Sequence, residues 1–457
     1  MAYVMTETAV LTDIANAIRQ QNGGTDLYRP GQMAAAVATL DGTKAGTPRV
    51  EPYMELERGL LSSTVFDDID VAIRAHDGTQ TPYAPSEMAA AILALSWDTG
   101  LKARALLLDD GTLEFNYRGA RSSDVGAVSQ CWEVDPAGYD ADDEPPWSVA
   151  SSQVKKVVFD SDWHGAGVTN YAYWCCGMAA LSEVRGFEEL SGCTDVKQMF
   201  TSCTSLDSIY ATSFDNTAIT SSMSVLYGCN RLVGGTGFVP TYSSGASALS
   251  FGNSGVLTDP TNDGRTWVWA HLYSDGDLEI TTVETPNAQR VPLASGRVCA
   301  SAHYRAVGCT PWYGKQSSMR LCRFCADLAA VTIASLDYWF YANTGALLVT
   351  GWDNVHGLQT MQHTFNGCTG ITMLNMMGLD PSALTNVGYA FASCNALQTI
   401  YVDGTWALPA GCTGLGTFYG CTQIRGGNGT AYSASATGAA MMAVDVAGNA
   451  GYLTAGS

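Results

Sequence analysis

The chain has 457 residues, a formal net charge of −20 and only 23 Lys and Arg residues. Nucleic acid and anionic membrane both need clustered positive charge, so this composition argues against either as a partner. The length allows three or four domains of about 150 residues each. No basic segment followed by an apolar core comes after Met1, and no stretch approaches the roughly 18 apolar residues of a membrane span, so we expect neither a usual export signal nor a helical anchor.

Two similar segments open the chain at a constant offset of 55 residues. Each copy predicts two short helices joined by a turn, because apolar residues recur at helical spacing and a proline opens a second, Ala-rich stretch. A unit of about 32 residues is too small to bury its own core, so the copies should pack on each other or on other subunits. We predict helical anchor units at residues 1–45 and 46–97, the second with its linker. The offset superposes Ile14 on Ile69, Ile18 on Ile73, Pro30 on Pro85 and Met33 on Met88.

A repeat follows, first seen in "MFTSCTSLDSI" from Met199 to Ile209. A Cys follows a Phe by three residues, and the motif returns in steps of 26 or 27 residues. A fixed period in the range of about 20 to 50 residues is typical of a solenoid, in which each unit buries its apolar face against its neighbours. The predicted repeat core comprises Phe200, Cys203, Leu206, Cys229, Leu232, Phe365, Cys368, Phe391, Cys394, Leu397, Phe418 and Cys421.

The repeats belong to a module that occurs twice. An offset of 165 residues carries Cys203 onto Cys368 and Cys229 onto Cys394, without net insertion or deletion. We therefore predict two tandem solenoid modules, at 98–260 and 261–457, that follow the helical units.

The chemistry-bearing residues have structural explanations. Most of the fourteen cysteines suit reduced core thiols of a stacked repeat, with disulfides as the alternative. Zinc could be held by a C-x-x-C and its neighbours, but the duplication places Cys322 on Val157, a core strand position. The residues of that zinc alternative are Cys299, His303, Cys309, Cys322 and Cys325.

Other catalytic or metal-binding readings have less support. The acidic run Asp140 to Glu144 lacks the spacing of a calcium loop and favours a solvated turn. His164 lies near Asp160 and Asp162, but no nucleophile accompanies them. Phosphate-binding, metalloprotease and nucleophile-elbow motifs are missing from the sequence. We predict a protein that is not an enzyme and has no catalytic residues, no cofactor and no metal.

The aromatic content is high, with 11 Trp and 21 Tyr. These residues supply large, rigid contact area at low entropic cost, which suits recognition surfaces, although they could equally fill an irregular solenoid. The candidates for recognition are Trp147, Trp163, Trp312, Tyr313, Tyr338 and Trp339.

Five units resemble the BspA-type leucine-rich repeats of bacterial and phage surface proteins, in about a third of the chain. "GLDPSALTNVGYAFASCNALQTI" carries the pattern most fully. The resemblance implies a mainly β protein with short helices, in which the two tandem modules are leucine-rich-repeat-like solenoids. The closing stretch from Gly426 to Thr454 is similar to the C-terminal cap common after such repeats. The opening "LTDIANAIR" with its Gly-rich turn is similar to N-terminal segments of phage virion proteins. The resemblance implies a phage virion structural protein, a tail fibre or similar receptor-binding component that recognises the host surface. A head fibre or capsid decoration protein and a tail-associated cell-wall hydrolase are the alternatives.

This resemblance implies partners and a location. Residues 1–97 would attach to other virion proteins, and the modules would bind a host surface glycan or protein, with no contact to nucleic acid or membrane. The protein would be made in the host cytoplasm, released by lysis, and form a homo-oligomer, with a trimer as one option. The sequence leaves open head or tail location, receptor, host species, oligomeric state and cysteine pairing in the particle.

Overall fold

The computed structural model describes residues 14–15, 17–18, 33, 69–70, 73, 88, 102–117, 128–241 and 244–456. The predicted helical units at 1–45 and 46–97 lie outside this set apart from nine positions, too few to describe a unit. These nine are helical and buried: Ile14, Ala15, Ala17, Ile18, Met33, Ile69, Asp70, Ile73 and Met88. In the described part of the chain, no helix combines the length and apolarity needed to cross a membrane.

Elsewhere in the described ranges the regular structure consists of strands and short 3-10 helices. The strands are β1 (Arg104–Leu108), β2 (Thr112–Asn116), β3 (Val128–Glu133), β4 (Lys156–Phe159), β5 (Glu183–Arg185), β6 (Ser208–Tyr210), β7 (Leu257–Thr258), β8 (Trp267–Tyr273), β9 (Asp277–Thr281), β10 (Pro292–Cys299), β11 (Leu321–Phe324), β12 (Leu348–Thr350), β13 (Met373–Asn375), β14 (Thr399–Val402) and β15 (Leu453–Ala455). The 3-10 helices are Pro146–Ala150, Trp163–Ala166, Phe187–Leu190, Ala246–Ala248, Gln316–Ser318, Ala326–Ala330, Trp352–Asn354 and Ala439–Met441.

The chain forms two compact units. Unit 1 comprises Met1–Asp110, Phe115–Val134 and Asp162–Ala166. Within it, β1 pairs antiparallel with β3, and the register shifts between Leu107 and Leu108. The rings of Phe115 and Trp163 pack together with centroids 5.5 Å apart.

Unit 2 comprises Gly111–Glu114, Asp135–Ser161 and Gly167–Ser457. Its short strands align in parallel, with β4, β5, β6 and β7 as successive neighbours and β13, β14 and β15 as another set. Between them, β11 pairs in parallel with β9 and β12, while β8 pairs antiparallel with β9 and β10. The middle residues of successive parallel strands face inward in register, as Val157, Val184 and Ile209 show. Apolar residues at this position build a continuous buried column, because each strand contributes one rung.

The 165-residue offset found in the sequence also relates the elements. It carries the first residues of β2, β4, β5 and β6 onto those of β9, β11, β12 and β13. It also carries Gly186 onto Gly351, which adopt φ of 71° and 77°. A Cβ at these two positions would lie 2.0 Å and 2.1 Å from the carbonyl oxygens of Phe159 and Phe324. Glycine is therefore required at the same place in both modules.

Two side-chain columns fill the interior of the second module. Its Phe rings stack nearly parallel, with centroids 5.1 Å apart for Phe340 and Phe365, 5.6 Å for Phe365 and Phe391, and 5.4 Å for Phe391 and Phe418. Beside them runs the cysteine column, in which each thiol donates to a backbone carbonyl of the preceding repeat. Cys394 Sγ, for example, lies 3.0 Å from the carbonyl oxygen of Phe365. All twelve predicted repeat-core residues are buried.

Buried charges bridge the predicted module boundary at 260/261. Arg297 forms a two-point contact with the carboxylate of Asp207, at 2.9 Å and 2.6 Å. Arg265 has a fully buried side chain that bonds Asp263 and the Tyr210 hydroxyl and donates to the Val233 carbonyl. These paired charges join the two modules within unit 2. Removal of one partner would leave the other charge unpaired in a low-dielectric environment.

Both modules end in the same turn, although a cap was predicted from the sequence only at the C-terminus. Gly234 N–H donates to the Phe238 carbonyl, and Gly426 N–H donates to that of Thr430. Each turn leads through a 3-10 helix into the last parallel strand of its set, β7 or β15. The repeated "GG-x-G" of residues 234–237 and 426–429 was the available signal.

Candidate functional site

The seven residues before each core cysteine form a turn in which some side chains, such as Phe391, are buried and others are partly exposed. Two of these residues, five and one before the cysteine, adopt positive φ in every complete repeat. Both places take glycine in the last repeat, as Gly416 and Gly420. In the other repeats the first place carries a side chain, at an energetic cost, whereas the second is glycine again in some of them, such as Gly228 and Gly367.

In the second module the first of these places carries an aromatic stack, which we define as Tyr338, His363 and Tyr389. The Tyr338 and His363 ring centroids lie 4.6 Å apart with planes 19° apart, and those of His363 and Tyr389 lie 5.1 Å apart with planes 10° apart. All three side chains are half-buried. The stack therefore extends across three successive repeats, with part of each residue exposed.

Backbone hydrogen bonds set the spacing of the stack. The N–H groups of Tyr338, His363 and Tyr389 each donate, at 3.0 Å, to a carbonyl of the next repeat. The acceptors are the carbonyls of Gln362, Gly388 and Leu415. Each of these residues comes immediately before the residue that holds the same place in the next repeat, namely His363, Tyr389 and Gly416. A ladder of this kind holds successive rings in register without reliance on side-chain flexibility.

The surroundings of Tyr338 and His363 favour the neutral form of each side chain. Burial lowers the pKa of His363, against the opposing effect of the Asp337 carboxylate. His363 Nδ1 lies 2.8 Å from the Asn366 amide nitrogen, which fixes the ring. Burial likewise raises the pKa of Tyr338, so its hydroxyl stays protonated.

Polar side chains accompany the stack without adding cations. In the second module, the residue immediately after each core cysteine, or after Asn343 in the cysteine place, is exposed and carries a hydroxyl or an amide. These residues are Thr344, Thr369, Asn395 and Thr422. Residues 324–424 contain no Lys or Arg, and their only acidic residues are Asp327, Asp337, Asp353, Asp380 and Asp403. The repeats that carry the stack therefore offer hydrogen-bonding groups and rings, with no positive side chain for an anionic ligand.

Exposed apolar side chains flank the end of each repeat stack. Leu415 and Tyr419 are 76% and 62% exposed in the last repeat of the second module. Met223 and Tyr227 hold the equivalent places in the first module and are 61% and 52% exposed.

The structure corrects most of the predicted recognition aromatics. Trp147, Trp163, Trp312 and Trp339 are at most 1% exposed, so their assignment to a recognition surface is wrong. The physical reason is that the core accommodates these rings, and for Trp147 and Trp312 it also supplies an acceptor for the indole N–H. Trp312 Nε1 donates to the Trp339 carbonyl at 2.9 Å, and Trp147 makes the same bond to Trp174 at 2.8 Å.

The two tyrosines among those candidates reach the surface. Tyr313 is half exposed, and Tyr338 belongs to the aromatic stack. His363 and Tyr389 were missed, although they lie five residues before a core cysteine, as Tyr338 does before Asn343, which occupies the cysteine place. An alignment of the repeats by their cysteines contains that signal.

Comparisons with known proteins give one distant likeness. No protein-family model matches the chain, and no curated protein matches it. A solved structure of a leucine-rich cell surface protein from Faecalibacterium prausnitzii A2-165 is similar at 14% identity, over 70% of this chain and 91% of the other, with a TM-score of 0.22. A likeness at that TM-score carries no argument about this chain.

The zinc alternative finds no assembled site. Within residues 102–117, 128–241 and 244–456, no group of three or more His, Cys, Asp or Glu side chains is placed to hold a metal ion. Cys322 lies in β11 and is fully buried, at the core strand position that the duplication indicates. Cys299 lies 3.3 Å from the Ser301 hydroxyl, and burial raises the pKa of Cys325 to about 11.

The other two polar clusters have local structural roles. Asp140 accepts the backbone N–H groups of Asp142 and Asp143 in an exposed turn. Asp162 accepts the N–H of Tyr117, and His164 is exposed. These bonds account for the turns in which the residues lie.

An open pocket of about 300 Å³ brings Asp380 and Asp403 to one surface. Asp380 accepts both the N–H and the hydroxyl of Ser382 at 2.9 Å, and these bonds lower its pKa. A glycoside hydrolase needs a general acid with a raised pKa, opposite to the shift at Asp380. This pocket does not present Asp380 as a proton donor.

Proposed function

We propose that the protein is a non-enzymatic phage virion structural protein, a fibre or receptor-binding component that recognises the host cell surface through its repeats. The observation that carries this proposal is the aromatic stack, held at positive φ on a hydrogen-bonded ladder. Rigid rings beside exposed polar groups supply contact area at low entropic cost.

The proposal extends to the whole chain. The modules at 98–260 and 261–457 form two tandem BspA-like solenoids, and residues 1–97 form duplicated helical units that attach to other virion proteins. The protein assembles as a homo-oligomer in the host cytoplasm and reaches the outside by lysis. Ten of its cysteines are buried and all fourteen are free, which is compatible with folding in a reducing compartment.

The test uses purified full-length protein and cells of candidate host bacteria. We expect saturable binding to host cells, and we expect antibodies against the protein to label purified phage particles. Absence of the protein from particles would overturn the virion assignment. Presence in particles without binding to any host would favour the head fibre or capsid decoration function instead.

A deletion tests the attachment role separately. Protein without residues 1–97 should fail to enter particles while its repeats keep the circular dichroism and protease resistance of the full chain. Normal incorporation of a folded truncated protein would refute attachment through residues 1–97. Release of reducing ends from host envelope by the full chain would instead identify a hydrolase.

A further inference from the structure

We propose that the face carrying the aromatic stack binds a neutral saccharide chain, laid across the repeats of the second module. This inference rests on the proposed function and names the ligand class. The site consists of Tyr338, His363 and Tyr389 together with the exposed polar residues that recur once in each of the same repeats.

The three stack residues adopt a positive backbone φ, which costs conformational free energy in residues other than glycine. Their φ values are 63°, 54° and 53°, in the left-handed region where glycine is unstrained. A residue other than glycine costs roughly 1–2 kcal/mol there. Gly416 occupies the same place in the last repeat, so the fold itself accepts glycine. Tyr173, Gln198 and Ser224 of the first module adopt the same φ, so this conformation belongs to the repeat and fixes where the stack lies.

Charge selects among surface polymers. Teichoic-type polymers, nucleic acids and acidic glycans carry negative charge, and proteins bind them through Arg and Lys. Residues 324–424 contain neither, and the chain as a whole has a net charge of −20. An anionic ligand would therefore meet repulsion and no pairing partner at this face, whereas a neutral ligand meets no such penalty.

The remaining chemistry matches a sugar. Sugars present C–H groups that pack against the exposed parts of aromatic side chains, and hydroxyl groups that exchange hydrogen bonds with amides and hydroxyls. The stack supplies the rings, and Thr344, Thr369, Asn395 and Thr422 supply the polar groups at one per repeat. Both columns repeat at the spacing of neighbouring rungs, about 4.8 Å, so an extended chain can make successive equivalent contacts.

The first module offers a natural comparison. Its equivalent residues are Tyr173, Gln198 and Ser224, so it has the same backbone but only one ring. Lys197 also lies over the Tyr173 ring, at 5.5 Å from the centroid. The proposed site is therefore specific to the second module, and the first module supplies matched control positions.

The experiment compares three full-length proteins on an array of neutral and anionic glycans, with polyglycerol phosphate as an additional anionic probe. The test variant carries His363→Gly and Tyr389→Gly, which glycine tolerates at these φ values. The control carries Gln198→Gly and Ser224→Gly at the equivalent positions. Thermal midpoints establish that all three are folded.

We expect the wild-type protein to bind at least one neutral glycan and none of the anionic probes. The test variant should lose about tenfold or more in affinity for that glycan, and the control should stay within about twofold. Binding to no neutral glycan, binding only to anionic probes, or an equal loss in the control would overturn the proposal. If the wild-type protein still binds host cells in those cases, the proposed receptor-binding function is retained. If the wild-type protein binds no cells, that function is refuted, whatever the glycan array shows.

Discussion

The Phe column provides a direct test of how the repeats hold together, and Phe391 is its central member. Its ring is fully buried and stacks between Phe365 and Phe418, with interplanar angles of 5° and 13°. Phe391→Ala removes the ring from both neighbours and leaves a cavity that two adjacent repeats must share. The loss should therefore destabilise the stack, not a single repeat.

The magnitude follows from burial and stacking. Phe→Ala substitutions in cores cost about 3–5 kcal/mol, including the lost transfer free energy and the cavity. Each aromatic pair contributes roughly 0.5–1.5 kcal/mol beyond buried area, and Phe391 forms two such pairs. We expect the free energy of unfolding to fall by about 4 kcal/mol, a large part of the ~5–15 kcal/mol typical of a folded protein.

The assay is urea unfolding followed by tryptophan fluorescence, with Tyr419→Ala as the control. Tyr419 belongs to the next repeat but is 62% exposed, so its removal should change stability by no more than about 0.5 kcal/mol. A loss below about 1.5 kcal/mol for Phe391→Ala, or equal effects of the two substitutions, would refute the stacked-column reasoning.

Three further predictions concern buried titratable groups. Burial raises the pKa of Cys229 from 9.0 to about 12, so its stabilising effect is complete below pH 9 and is lost between pH 9 and 12. Cys229→Ala should make the fall of unfolding free energy above pH 9 shallower by about 1.4 kcal/mol per pH unit, measured by urea titration. Asp207→Asn leaves Arg297 without its carboxylate and should cost about 3 kcal/mol, measured at pH 7. Burial would raise the pKa of Asp445, but hydrogen bonds from Thr430 and Asn428 hold it below its ordinary value. Asp445→Asn should cost about 1 kcal/mol at pH 7, and this difference should vanish as pH falls below about 4, in thermal unfolding.

Each of these predictions has a contradicting result. Parallel pH profiles for wild type and Cys229→Ala would exclude a selective effect of that thiol. An Asp207→Asn protein as stable as wild type would show that the pair with Arg297 does not hold the modules together. A cost for Asp445→Asn that does not decrease at all as pH falls below about 4 would mean that the lost contact does not depend on ionisation.

The regular part of the fold can be read from the sequence because each repeat meets only its neighbours. The 26-residue spacing and the Phe-x-x-Cys gap locate the buried columns of Phe391 and Cys394. The 165-residue offset likewise locates equivalent glycines, since Gly186 and Gly351 face the same steric restriction against a carbonyl oxygen. Periodicity encodes both features directly.

The candidate site could be predicted only in part, because exposure depends on partners outside the repeat. Trp312 lies between Pro and Tyr in a polar turn, yet its N–H finds the Trp339 carbonyl and the ring is buried. Tyr338, His363 and Tyr389 share the place five residues before the core cysteine or Asn343, so an alignment of the repeats groups them. Contact between their rings arises only when the repeats stack, and their positive φ is not visible in residue spacing.

Binding of the labelled full-length protein to host cells tests the central claim most directly when wild type is compared with the His363→Gly, Tyr389→Gly double variant. We predict saturable binding for wild type and about tenfold weaker binding for the folded variant. Equal binding by the two proteins would contradict the claim that this face recognises the host surface.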